Sequence, residues 1–367
     1  MKLREILFLF SWIFLLASCS DDNEAEPADT PLEPTLQVPS TYVSANYDEN
    51  VTAESTVIDE LSAMTSAAND AEANAQGAET IAALEYPSTL SSVTLPDYRV
   101  LVADWLVELV NAANSSTGFQ NPGTGTPAAN EEGGLLGTRL LDENGLELEQ
   151  MVQKGSFGAA LYNHALTVIA GDLSSSSAID QLVEIHGTDA DFDPDSTSAA
   201  ATYSRRRSNQ TTQTGFFYDI QTALITAKAA IDAGIFEEER DQALADYLLA
   251  WEKSNFATVI YYCNATKVLL QSADGDAELL GDALHAYAEG VGFAHGFRGI
   301  SNKQITDAQI DSILELLLAP AGQTPESYQF LNDATLLDNL DQIIADIQAI
   351  YGFTDAEVAS FFINDPT

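Results

Sequence analysis

The chain has 367 residues, of which 14 are basic and 56 are acidic, giving a formal net charge of −42. A chain this acidic does not provide the basic surface that nucleic-acid phosphates require, and it is unsuited to electrostatic docking on anionic lipids. Its two cysteines, Cys19 and Cys263, do not form the pattern of a disulfide framework or a thiolate metal site. Cys263 lies in an apolar helical run, which predicts a small buried core residue rather than a nucleophile.

The first 18 residues have the pattern of a targeting segment rather than of a folded element. Lys2 and Arg4 supply the charged start, and the apolar stretch 6–16 is too short to span a membrane comfortably. The sequence Leu16-Ala-Ser-Cys19 follows, and small residues before a cysteine at this point resemble a bacterial lipoprotein signal. The resemblance implies that Cys19 is acylated, becomes the first mature residue and anchors the protein in a membrane.

Residues 19–40 are predicted to form an acidic, proline-rich tether. The run Ser20-Asp-Asp-Asn-Glu24 resembles the acidic export tag of Bacteroidetes-type lipoproteins. That resemblance implies an outer-membrane lipoprotein on the cell surface of a Gram-negative bacterium.

Residues 41–367 are predicted to be one all-helical domain, because apolar residues recur at helical spacing in segment after segment. Gly234 separates an antiparallel helix pair, and Thr354 stands at a helix N-cap. Alternating strand patterns are scarce, so the expected class is all-α, with antiparallel helical bundles and long irregular loops. Helices are predicted at residues 52–68, 97–113, 145–170, 176–186, 215–233, 236–271, 282–299, 307–318, 334–351 and 355–362.

Two long loops interrupt these helices. The first, 114–137, is rich in Gly, Pro, Ser and Thr and is too long to be a neutral connector. The second, 187–214, has an acidic run that first resembles a calcium loop, but Pro194 stands where that loop needs glycine. We therefore expect a solvated acidic loop, with the basic run 205–207 pairing with it.

The helix within 282–299 carries an unusual stripe. His285, Glu289, Gly292 and Gly296 follow one another at spacings that place them on one helical face. Glycine inside a helix costs about 1 kcal/mol relative to alanine, so Gly292, Gly296 and the neighbouring Gly290 need a reason. We expect the small residues to admit a neighbouring backbone and to bury the His–Glu pair against it.

Three blocks, 145–161, 223–231 and 283–293, occur together in an order that resembles an uncharacterised family of Bacteroidetes lipoproteins. That family looks related to the imelysin-like helical proteins. The resemblance implies two four-helix bundles and a link to iron acquisition, and some imelysin-like proteins are described as peptidases. Their hallmark is His-x-x-Glu after a glycine, whereas this chain has His285-x-x-x-Glu289 and His186-Gly-Thr-Asp189.

His285 and Glu289 are also a possible two-ligand arm of a metal site, since residues four apart share a helical face. Glu147, His186 and Asp189 are the natural further ligands from other segments, and iron or another divalent metal is the expected ion. The alternative is a structural His–Glu hydrogen bond. Lys154 lies on the same helical face as Glu147, which predicts either a salt-linked interior face or a polar pocket.

Three functions remain open from the sequence. The first is a surface-exposed lipoprotein that binds a ligand or metal, possibly in iron uptake with an outer-membrane transport partner. The second is a metal-dependent hydrolase that uses His285 and Glu289. The third is a structural cell-surface interaction module. The sequence leaves the ligand and the oligomeric state open.

The lipoprotein prediction is tested by replacing the acylated residue. Cys19→Ser removes the thiol that accepts the lipid, so the variant should be mislocalised, whereas the wild-type chain should be cleaved by protease added to intact cells. Membrane fractionation combined with surface proteolysis checks both expectations. A wild-type protein that stays soluble in the periplasm would contradict them.

Overall fold

Helices make up most of the chain in the computed structural model, which describes residues 34–124 and 132–366. The predicted signal peptide, Cys19 and most of the tether lie outside the described residues. Helix accounts for 64% and strand for 3%, which confirms the predicted all-α class. The helices are α1 (Tyr47–Asn50), α2 (Thr52–Ala73), α3 (Ser88–Val93), α4 (Pro96–Ala113), α5 (Leu148–Ser156), α6 (Asn163–Ile169), α7 (Ser177–His186), α8 (Ala199–Arg206), α9 (Phe216–Ala233), α10 (Glu237–Ser272), α11 (Ala277–Gly296), α12 (Asp307–Leu316), α13 (Leu337–Tyr351) and α14 (Asp355–Phe361).

Helix ends follow the local signals in the sequence. α9 ends at Gly234, whose φ of 73° is the left-handed conformation that glycine adopts without strain. Thr354 and Glu357 form a capping box at the start of α14, which confirms the predicted cap. Among the helices of the described residues, none combines the length and apolar character needed to cross a membrane.

The 36-residue helix α10 is the spine of the compact unit that begins at Leu36. It packs along α9, α11 and α13, and α11 packs in turn on α5. The Asn255 amide of α10 donates to the Phe293 carbonyl of α11 at 3.0 Å, and Tyr262 reaches back to Glu289. These two contacts show that α10 and α11 run antiparallel.

Aromatic side chains fill the core beside α10. Trp251 is fully buried, and its ring lies 5.3 Å from that of Tyr162 and 5.8 Å from that of Tyr247. Cys263, further along α10, is 2% exposed, and burial raises the pKa of its thiol to about 12. The predicted burial of this cysteine is confirmed.

The segment predicted as one helix over 145–170 is continuous but not uniform. α5 leads into a π-helical segment, Phe157–Tyr162, which leads into α6. A π segment widens the turn locally and is frequent at functional sites. It begins after Ser156, so the buried Lys154 and Gly155 lie in the last turn of α5 before it.

Glycines bring α11 against α5. A Cβ atom on Gly296 would overlap the Gly155 carbonyl oxygen, and one on Gly292 would lie 2.8 Å from the Gln150 carbonyl oxygen. These obstacles are backbone atoms, which cannot rotate away. Gly290 has more room, since its nearest neighbour would be the Tyr262 Cβ at 3.3 Å. The expected close approach along the stripe is therefore present at Gly292 and Gly296.

Both predicted loops contain regular structure. Two-stranded antiparallel pairs join β1 (Gly134–Leu136) to β2 (Arg139–Leu141) and β3 (Ser208–Asn209) to β4 (Thr214–Gly215). Helix α8 occupies the middle of the segment predicted as the second loop. These elements are too short for periodicity to reveal them.

The expected pairing of the basic run with the acidic loop is wrong. Arg205 forms an ion pair with Asp365 at 2.7 Å, and Arg207 donates to the Phe361 carbonyl and to the side chain of Asn364. The basic run lies at the end of α8, beside residues 361–365. These residues, and not the acidic loop, supply the partners of Arg205 and Arg207.

The glycine contact predicts a measurable loss of stability. Gly296→Ala should lower the free energy of unfolding by about 1–3 kcal/mol, because the added methyl group must force two backbones apart. Gly290→Ala is the matched control in the same helix, and there the gain in helix propensity of up to about 1 kcal/mol offsets a milder contact. Urea titration of both variants checks the difference. Equal effects would contradict the close packing.

Candidate functional site

A group of ionisable side chains is buried where α5 faces α11, beside the glycine contact. We define the charge cluster as Glu72, Arg139, Glu147, Glu149, Lys154, His285 and Glu289. The α5 helix and the residue before it supply Glu147, Glu149 and Lys154, and α11 supplies His285 and Glu289. Because the glycines remove side-chain volume between the two backbones, the charged groups lie at interior depth.

His285 is held between two glutamates. Its Nδ1 lies 2.7 Å from a Glu147 carboxylate oxygen, and its Nε2 lies 3.6 Å from a Glu289 oxygen. A contact of 2.7 Å requires a proton on one of the two groups, so the pair shares one hydrogen bond. Burial lowers the pKa of His285, with Arg139 and Lys154 adding to the fall and Glu289 opposing it.

Lys154 and Glu289 form an ion pair that is almost fully buried. Nζ of Lys154 lies 3.2 Å from Glu289, and neither side chain is more than 9% exposed. Burial acts to lower the pKa of Lys154, but Tyr203, Glu289 and Glu149 together raise it above its usual value. Tyr262 donates a further hydrogen bond to Glu289. The lysine therefore remains charged, and it neutralises one glutamate.

The remaining glutamates hold protons more firmly than usual. Burial raises the pKa of Glu147 to about 8, with the Glu149 carboxylate adding to the rise. Burial likewise raises the pKa of Glu149 to about 7 and that of Glu72 to about 8. The Glu72 and Glu147 carboxyl groups also hydrogen-bond to each other, which requires a proton between them. The cluster therefore contains more carboxyl groups than cations, and the carboxyl groups in excess tend to keep their protons.

One acceptor beside the charge cluster, on the Gln150 side chain, lacks a partner among the described residues. Gln150 is 5% exposed, and its Nε2 donates to the Glu149 carboxylate. Its Oε1 is buried and accepts no hydrogen bond from the described residues. A buried carbonyl oxygen without a donor is costly unless a cation or a donor reaches it. This orphaned oxygen beside an excess of carboxylates is a feature expected of a cation-binding site.

The charge cluster opens to solvent at one edge. Arg139 of β2 pairs with Asp282 of α11 at 2.8 Å, and these side chains are 29% and 34% exposed. Nη1 of Arg139 also lies 3.3 Å from His285 Nδ1, and the His285 side chain is 23% exposed. The Arg139–Asp282 pair therefore stands between the solvent and the buried glutamates.

The structure brings together three of the five predicted ligand residues, namely His285, Glu289 and Glu147. His186 lies elsewhere, with its Nε2 3.0 Å from Ser204 and its ring 4.9 Å from that of Trp251. Burial lowers its pKa to about 3. Trp251 and Tyr262, which contacts Glu289, are roughly 16 Å apart along α10 at about 1.5 Å per residue. The expected ligand role of His186 with His285 is therefore wrong.

Asp189 also lies outside the charge cluster. It follows α7 in the loop toward α8, where its carboxylate accepts from the Asp191 amide at 3.0 Å. Within residues 34–124 and 132–366, no group of three or more His, Cys, Asp or Glu side chains is arranged to hold a metal ion.

Sequence reasoning missed Glu72, Glu149 and Arg139. Glu72 lies near the end of α2, and Arg139 lies on strand β2, just after the loop predicted over 114–137. Glu149 precedes Gln150 in α5, but it was not among the residues expected on the helical face of Glu147 and Lys154. These positions become neighbours only through packing between distant segments, and local spacing does not reveal such packing.

A wide groove elsewhere on the described surface is distinct from the charge cluster. It has a volume of about 920 Å³ between α9, α10 and α13, and carboxylates such as Asp219, Glu239 and Asp246 line it. None of the residues that line this groove belongs to the charge cluster. The groove and the charge cluster are therefore separate features.

Comparisons with known proteins found no match to a protein family, a curated protein or a solved structure. The argument for function therefore rests on the geometry of the charge cluster.

The raised pKa values of Glu147 and Glu149 predict a pH dependence of stability. Between the unfolded value near 4.5 and the folded values of about 8 and about 7, the native state binds more protons. The free energy of unfolding should therefore fall as the pH rises from about 5 to about 8, by at most about 1.4 kcal/mol per pH unit for each group.

Glu147→Gln should reduce this slope, because glutamine cannot lose a proton. Glu239→Gln, at an exposed position, is the matched control for the loss of one charge. Thermal melts at constant ionic strength across this range check the prediction. An unchanged slope in Glu147→Gln would show that this carboxyl titrates normally in the fold.

Proposed function

We propose that this protein is a surface-exposed outer-membrane lipoprotein that binds a small cation, in the first instance a divalent metal ion such as iron, at the charge cluster. Acylated Cys19 would hold it in the membrane, and the bound ion would be passed on in metal uptake. The relationship to imelysin-like proteins and a transport partner in the outer membrane belong to the same proposal.

One observation carries the binding proposal. Four glutamates of the charge cluster face only Lys154 and Arg139 as permanent cations, and Arg139 is already paired with Asp282. Burial raises the pKa values of Glu147 and Glu149, and neighbouring carboxylates of the charge cluster add to the rise. A cation that entered would replace the retained protons and would give the Gln150 Oε1 a partner.

The donor types suit a hard or borderline metal ion. Carboxylate oxygens of Glu147, Glu149 and Glu289, the Gln150 carbonyl oxygen and the His285 imidazole are the groups that would hold it. Their present placement is that of a hydrogen-bonded network rather than a coordination shell. Binding must therefore release the His285–Glu147 hydrogen bond and at least one proton, so affinity should rise with pH.

Calorimetric titration of the acylated protein in detergent tests the proposal. Fe²⁺, Mn²⁺ and Zn²⁺ are added separately at pH 6 and pH 8 under anaerobic conditions. We expect one ion per chain, with tighter binding at pH 8. Glu289→Gln and Glu147→Gln should each weaken binding by about tenfold or more, because each removes one charged oxygen ligand.

Glu239→Gln is again the control, because it removes an exposed carboxylate far from the charge cluster, and it should bind like the wild type. Failure of all three metals to bind at both pH values would reject the proposal in favour of a structural interaction module. Hydrolysis of a peptide substrate that requires both His285 and Glu289 would favour the hydrolase hypothesis.

A further inference from the structure

A second, smaller cleft lies between α2, the start of the π segment and the beginning of α8. It has a volume of about 290 Å³, at the lower end of the range for small-molecule sites. None of its lining residues is ionisable, in a chain that contains 56 acidic residues. The local chemistry is therefore unlike that of the rest of the surface, and it disfavours ions of either sign.

One stripe of α2 supplies most of the polar lining. Ser62, Thr65, Ser66 and Asn69 are spaced so that they share one helical face over the cleft. No hydrogen bond joins any of these four side chains to another described residue. Serine, threonine and asparagine side chains each offer both a donor and an acceptor. The stripe therefore presents a row of neutral hydrogen-bonding groups with no protein partner.

Thr65 is the deepest of these groups. It is 6% exposed, yet its Oγ1 is buried without any hydrogen-bond partner in the described part of the chain. A threonine in a helix can bond its own backbone one turn earlier, and this one does not. A buried hydroxyl left unpaired while it lines a cleft needs a partner from outside the protein.

The rest of the lining combines an apolar floor with one side-chain amide. Phe157, the first residue of the π segment, and Leu61 are both buried and form part of the floor. Gln153 lines the cleft, and its Oε1 accepts from Lys154 Nζ. Because Lys154 occupies the oxygen, the hydrogen-bonding group of this amide that has no partner among the described residues is its NH2 group.

The wall opposite α2 is held in a strained conformation. Ala199 lines the cleft with a φ of 42°, a conformation that residues with a side chain rarely adopt. The preceding Ser198 amide donates to the Gly187 carbonyl at 2.8 Å, which fixes the wall in place. The cleft is thus preformed on both sides.

We infer that this cleft binds one neutral polyhydroxylated ring, such as a single hexose unit of a glycan. A sugar ring has an apolar face for Phe157 and hydroxyl groups that both donate and accept, as the α2 stripe and Gln153 do. It carries no charge, in agreement with the lining. The inference is independent of cation binding at the charge cluster.

The test uses D-glucose, D-galactose and D-mannose as neutral probes. D-glucosamine and D-glucuronate are the cationic and anionic comparators. Each is titrated into the acylated full-length protein and followed by saturation-transfer NMR. At least one neutral hexose should bind saturably and more tightly than its charged comparators.

Thr65→Val keeps the shape of the side chain and removes the hydroxyl, so it should weaken binding by about tenfold. Thr266→Val is the matched control, since Thr266 is also a buried threonine with an unpartnered hydroxyl but does not line the cleft. Neither hydroxyl makes a hydrogen bond within the described residues, so both variants should fold, and thermal melts of each variant check this.

Three results would overturn the inference. One is the absence of saturable binding for all neutral hexoses, and another is equal affinity in the Thr65→Val and Thr266→Val variants. The third is binding of the glucosamine cation or the glucuronate anion at least as tight as that of the tightest neutral hexose, which would assign the cleft to a charged ligand.

Discussion

The contact between the backbones of α5 and α11 is the constraint on which the rest of the interior depends. Gly296 lies against Gly155, and Gly292 lies against the Gln150 carbonyl, so the two helices approach without side chains between them. The longer side chains on the facing surfaces of α5 and α11 must then lie beside this contact, where they are buried. Lys154 and Glu289 occupy such positions and, being charged, must pair with each other.

That pairing leaves the other carboxylates of the charge cluster without matching cations. Burying charge in a protein interior is expensive, and a glutamate avoids the expense by keeping its proton. Glu147 and Glu149 do so at pH values where exposed glutamates are ionised. The cluster therefore combines protonated glutamates with a permanent ion pair. A cation that bound there would displace the glutamate protons.

Helical periodicity predicted most of the fold, because α2, α4, α9 and α13 each bury one face over three or more turns. It failed for α8 and for the strand that carries Arg139, which are too short to show a period. Within the charge cluster, the sequence predicted His285, Glu289, Glu147 and Lys154 from spacing along two helices. It wrongly added His186, since residue type alone does not distinguish a ligand from a histidine packed on Trp251.

Lys154 connects the two regions that we assign to ligands. Its Nζ reaches Glu289 on the side of the charge cluster and Gln153 on the side of the neutral cleft, directly before the π segment. A cation near Glu289 would compete with this ammonium group, and the same ammonium group holds the Oε1 of the amide that lines the cleft. A displacement of Lys154 from Glu289 would therefore also change its hydrogen bond to Gln153. By thermodynamic linkage, any such coupling acts equally in both directions.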